Sequence, residues 1–250
     1  MRYRRIFALA LVGVVSAARA GAQGGMAGMP MGGADSANPA VQGVNEQMSG
    51  MIMDSPHMRM TPLGAPKPGD AARADAIVSE LRGALGKYSD YKVALAEGYR
   101  IFMPGVKQKV YHFTNFELAV QAAFGFDATK PTSLLYEKTG DGYKLVGAMY
   151  TAPRTMTEAE LDQRVPLSVA QWHVHVNLCI PQKGERARWR EMDGGKPKFG
   201  PKGTISTKAD CDAAGGRFIP QLFGWMVHVQ PWETDPGKVW GRHEGHGHDE

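Results

Sequence analysis

Cysteine is nearly missing from this chain: Cys179 and Cys211 are its two cysteines among 250 residues, enough for one bridge at most. Long apolar runs are missing too. Beyond the first twenty or so residues nothing approaches the roughly 18 apolar residues that a membrane span needs. There is no H-E-x-x-H, no Gly-rich phosphate loop and no G-x-S-x-G, which removes the sequence grounds for a zincin, a nucleotide-phosphate cradle or a nucleophile elbow. Regular alternation of strands and helices is absent as well, which argues against a doubly wound sheet.

The charge excess of the chain is only apparent. Arg2, Arg4 and Arg5 precede an apolar run from Ile6 to Ala18, and Ala18-Arg19-Ala20 and Ala20-Gly21-Ala22 follow as A-x-A cleavage signals. Residues 1–22 thus read as a secretory signal peptide. Arg4-Arg5-Ile6-Phe7 also matches part of a twin-arginine signal. The signal holds four of the 29 Lys and Arg (Arg2, Arg4, Arg5, Arg19), leaving 25 against 25 Asp and Glu in the mature product. A neutral product gives no support for a nucleic-acid or acidic-membrane partner. The expected location is periplasmic or secreted, with no membrane span. Export puts Cys179 and Cys211 in an oxidising compartment, where such a pair is expected to bridge and to stabilise by about 3 to 4 kcal/mol in the chain-entropy view. The competing reading makes Cys179 a thiolate ligand, two residues beyond Asn177.

What is abundant is methionine and histidine in particular places. Residues 23–66 are rich in Gly, Ala, Met, Pro and Ser and lack hydrophobic periodicity, so they are expected to stay a leader outside the fold. Eight of the 14 methionines (Met26, Met29, Met31, Met48, Met51, Met53, Met58 and Met60) fall in this stretch. Thioether sulfur is a soft ligand suited to Cu(I), and Met51 with Met53, or His57 with Met58 and Met60, offer several donors from one short segment. The plainer reading has Met58 and Met60 packing on the domain edge. The last residues, 241–250, form a tail in which His243, His246 and His248 make a chelator of low selectivity.

Residues 67–240 have the length of one domain, and its pattern predicts an α+β fold: a single domain with a mixed or antiparallel sheet flanked by short helices. Asp70 is the expected N-cap of a helix through about Lys87, with Ala74, Ile77, Val78, Leu81 and Leu85 on one face. A short helix from Ser89 or Asp90 stops at Gly98, and another spans Phe116 to Phe124. A hairpin follows, Ser133 to Lys138 and Tyr143 to Tyr150 about the turn Thr139 to Gly142. Thr157 and Glu160 make a capping box ahead of Pro166, and a last helix from about Lys208 ends at Gly215-Gly216.

Two strands carry the chemistry. In Gln171 to Cys179 (Q-W-H-V-H-V-N-L-C), alternation puts His173, His175 and Asn177 on one face and Trp172, Val174, Val176 and Leu178 on the other. Gly224 to Gln230 (G-W-M-V-H-V-Q) repeats the pattern with Met226, His228 and Gln230. Pairing of the two strands would bring His228 to His173 and His175, and His112, in Val110 to Phe113, is the candidate fourth. Three imidazoles with an open position suit Zn and a water, and imidazole with thioether suits copper. Glu117 and Asp162 are possible acid/base partners that the sequence does not place.

Y-H-F-T-N (Tyr111 to Asn115), Pro131 to Tyr150, Val165 to Cys179 and Gly224 to Val229 together resemble a family of uncharacterised exported bacterial proteins with a W-H-x-H-x-N-x-C strand and a G-W-M-x-H strand. The resemblance covers about residues 50 to 240 and implies a shared exported domain with a histidine cluster. H-V-H-V-N is also similar to the H-x-H of cupins, but the Glu that follows it there is missing, the nearest being Glu185. An H-x-H strand beside a third histidine resembles the zinc site of α-type carbonic anhydrases, though nothing else in the chain does. The reading is therefore an exported transition-metal-binding protein using His173, His175, His228 and His112, copper rather than zinc. Its partner is a metal ion, with Met226, the leader and the tail as accessory donors. A metal-dependent enzyme (hydrolase or oxidase) and a disulfide-stabilised envelope or binding module with structural histidines are the alternatives.

Overall fold

The structure is a computed structural model in which residues 55–105 and 108–241 are described. The segment expected to be a signal peptide, most of the expected leader, including Met51 and Met53, and the tail with His243, His246 and His248 lie outside these residues. Among the described residues no helix is long and apolar enough to cross a membrane.

A seven-stranded antiparallel sheet forms the body. Its strands are β1 (Met58–Met60), β2 (Arg100–Ile101), β3 (Tyr111–Thr114), β4 (Ser133–Thr139), β5 (Gly142–Ala152), β6 (His173–Ile180) and β9 (Arg217–Val229), in the order β1-β6-β9-β5-β4-β3-β2. β7 (Met192–Asp193) and β8 (Lys196–Pro197) make a separate ribbon. The fold is α+β, as the sequence predicts.

Helix α1 (Asp70–Leu85) buries Ala74, Ile77, Val78, Leu81 and Leu85, the spacing that the sequence shows. Fully burying leucines such as Leu81 and Leu85 contributes about 2 kcal/mol each. Their partners in the main core include Val174, Val227, Val229, Phe113 and Tyr136 from the sheet. Asp70 is not the N-cap. Gly69, at φ 88, holds that position without a side-chain bond, and the Asp70 carboxylate instead accepts from the Ser168 hydroxyl at 2.6 Å and Lys67 N at 3.1 Å. The Ser168 bond keeps Asp70 below the usual carboxylate range.

The short helices start on side-chain caps. Asp90 caps α2 (Tyr91–Ala96) and Asn115 caps α3 (Phe116–Gln121), which stops three residues short of its expected end. Thr157 and Glu160 form both halves of a capping box on α4 (Glu158–Arg164). Thr207 caps α5 (Lys208–Ala213), and Asp235 caps α6 (Pro236–Val239).

The domain reaches further toward the N-terminus than the expected boundary at 67. β1 pairs with β6, Thr61 N donates to Trp172 O at 2.8 Å, and Gly64 N donates to Leu167 O at 3.0 Å. Cys179 and Cys211 are bonded to each other across 32 residues, with Cα atoms 5.5 Å apart, so Cys179 is not a thiolate ligand. The bridge sits in a small core with Phe199 and Ile205 and ties the end of β6 to α5.

Candidate functional site

β6 and β9 pair antiparallel, which joins the H-x-H segment to G-W-M-V-H. Val174, Val227 and Val229 are buried in the main core, so the histidines one residue away fall on the reverse face of the sheet. Residues directly opposite in an antiparallel pair share a face. His173 stands opposite Met226 on one side and Met60 on the other. His175 stands opposite Met58, His228 opposite Met149, and His112 opposite Leu135.

The pairing is uneven where the two segments meet. From the His173–Met226 pair to the His175–Leu222 pair, β6 inserts only Val174 while β9 inserts Phe223, Gly224 and Trp225. This is a bulge, with Phe223 at φ 63. A Cβ on Gly224 would stand 2.0 Å from Ala152 O, so the first residue of G-W-M is glycine for lack of room. Asn177, expected on the face of His173 and His175, has a left-handed backbone at φ 56, and its amide donates to Pro56 O at 3.1 Å.

The four imidazoles lie in a row, with ring centroids 5.8 Å apart for His175 and His173, 5.1 Å for His173 and His228, and 5.6 Å for His228 and His112. His112 is on β3, three strands from β9, about 14 Å across a flat sheet. Rings 5.6 Å apart therefore require the sheet to curl toward this face, which makes it concave. His112, His173 and His175 are 1%, 3% and 3% exposed. Leu135, Met149 and Met226 pack around them with Val110, Val146 and Phe223, and Phe102 meets Phe223 edge-on at 6.1 Å. Gln108 Nε2 donates to the carbonyls of Phe102 and Met103, fixing part of the segment between β2 and β3. Burial pushes the His175 imidazole down to about 4, so it is neutral at pH 7.

The structure thus brings His173, His175, His228 and His112 together, but as a row of touching rings. Among the described residues no group of three or more His, Cys, Asp and Glu side chains is placed to hold a metal ion. His57 has a different task from the accessory ligand expected: its Nδ1 lies 2.9 Å from Asn177 O and its Nε2 2.8 Å from Gly203 O, so both nitrogens serve the backbone. Met58, Met60 and Met226 are on the histidine face. Asp162 accepts from Lys67 Nζ at 2.6 Å and Leu167 N at 2.8 Å, and the Lys67 bond holds it below the usual carboxylate range. Glu117 is exposed in the first turn of α3.

Met149 was not singled out from the sequence. Its signal is the hairpin alternation, but a register shift at Leu135/Tyr136 interrupts the β4–β5 ladder, so the face of Met149 does not follow from the start of the hairpin. Gly147 lies opposite Leu135, and a Cβ there would come within 2.5 Å of Val229 O.

Comparison of the chain with protein-family models, curated proteins and solved structures gives no match.

Proposed function

We propose that this is an exported, periplasmic or secreted, transition-metal-binding protein that holds copper in preference to zinc on its histidine row. The observation that supports it is the pairing of imidazole with thioether inside the sheet: His173 faces Met226 and His228 faces Met149. Two imidazoles sharing one ion at about 2 Å per nitrogen have ring centroids roughly 5 Å apart. The 5.1 Å and 5.6 Å spacings about His228 are of that size. Zinc sites take four ligands from thiolate, imidazole and carboxylate, whereas thioether sulfur completes a set suited to Cu(I). His173, Met226 opposite it and His228 two residues further along β9 are the core of the site, and His112 and His175 flank it.

A disulfide-braced envelope or binding module with purely structural histidines is the second reading, favoured by the lack of a three-residue His/Cys/Asp/Glu group among the described residues. Elemental analysis of untagged protein from its native compartment, with Cu(I) competition titration, separates the two. The expected result is one tight equivalent of copper in the mature chain, lost when His173→Ala and His228→Ala are combined. The fold should survive because Val174 and Val227 still pack on the opposite face. Unchanged metal content in that variant leaves the structural reading.

A further inference from the structure

β1 is an edge strand of three residues, and it borders the histidine face. Its antiparallel register sets Met58 beside His175 and Met60 beside His173. Met58 is buried, and Met60 is half-buried at the border with water. Across three adjacent strands this makes a line of donors, Met60, His173 and Met226, running from the rim of the sheet to its concave interior. Met51 and Met53 precede Met58 by seven and five residues, within about 25 Å of extended chain. The softest donors therefore converge in sequence on the edge where the row begins.

We propose that this edge is the way by which Cu(I) reaches the histidine row, with Met60 the outer transfer ligand and Met58 the inner one. The proposal rests on the copper reading of the row. Passage from one methionine to the other breaks one Cu–S(thioether) bond as a second forms, and the hand-over to the row breaks a Cu–S(thioether) bond as a Cu–N(imidazole) bond forms; the ion stays Cu(I) throughout. Neutral thioether ligands suit this role because they attract Cu(I) without adding charge. A methionine that merely fills space at the domain edge has an equivalent in leucine. Met60→Leu therefore removes the sulfur and keeps the packing.

The experiment loads the full mature chain with Cu(I) presented as its bicinchoninate complex and follows the loss of that complex's visible absorbance. It compares wild type with Met60→Leu, with Met58→Leu/Met60→Leu, and with His173→Ala/His228→Ala, near-UV circular dichroism verifying each fold. The expected result is loading at least roughly tenfold slower in both methionine variants, through loss of a tethered donor, with the final copper content unchanged. Unaltered rates with full loading overturn the route and leave the copper reading standing. Lost copper content in Met60→Leu makes Met60 a resident ligand and overturns the transfer role. No uptake by wild type, or uptake indifferent to His173→Ala/His228→Ala, removes the copper reading and the route with it.

Discussion

His175 is 3% exposed, and this burial pushes it from 6.5 to about 4. In the unfolded chain it returns to the ordinary value. Between about pH 6.5 and about pH 4 the unfolded state therefore binds a proton that the folded state refuses, and stability falls as pH drops through that window. Above it the group has no effect. A shift of this size corresponds to about 3 kcal/mol. Denaturant unfolding of metal-free wild type and His175→Leu at about pH 7.5 and about pH 4.5 checks this. Wild type should lose stability on acidification that the leucine variant keeps, and parallel losses in both would sink the assignment. Alternation was enough to put His173 and His175 on one face, because the period of a strand is local. It did not reveal that the face is buried, since that follows from the curl of a sheet whose strands lie far apart in sequence.

The elements most legible in the sequence are those fixed by their own residues. The capping box of Thr157 and Glu160 and the apolar stripe of α1 formed as read. The cap of α1 did not, because the Asp70 carboxylate found a better partner in Ser168, 98 residues away. β1 was not legible as a strand: M-R-M has no pattern of its own and is extended because β6 offers it an edge. The cysteine pair was legible from the expected compartment and the count, but the glycine behind it was not. A Cβ on Gly216 would lie 2.5 Å from Cys179 Sγ and 3.0 Å from Cys211 Sγ. Gly216→Ala should therefore destabilise by about 1 to 3 kcal/mol through overpacking. Removing the bridge with Cys179→Ala/Cys211→Ala should cost about 3 to 4 kcal/mol by itself, but it also removes the atoms that the new methyl would strike. In that background Gly216→Ala should cost clearly less. Equal costs in both backgrounds, measured by denaturant unfolding, would show that the clash is not with the sulfurs.

For the whole molecule the sequence put the domain boundary at 67, whereas residues between 55 and 66 also take part in the fold. The composition of residues 55–66 resembles the leader before them, so no local signal separates the two. What separates them is long-range hydrogen bonding. Val176 N donates to His57 O, Thr61 N donates to Trp172 O while Trp172 N donates to the Thr61 hydroxyl, and the Gln171 amide donates to Thr61 O. His57 spans Asn177 O and Gly203 O from a site 1% exposed. Each such bond is worth about 1 kcal/mol net, and more where its loss strands a buried partner. A chain starting at Ser55 keeps every one of these bonds. A chain starting at Lys67 should lose several kcal/mol, because the β6 backbone and the carbonyls facing His57 lose their partners and His175 loses the cover of Met58. If the two truncated chains unfold at the same midpoint, the segment from 55 to 66 rests on the domain without supporting it, and β1 has no structural share in the sheet that holds the histidines.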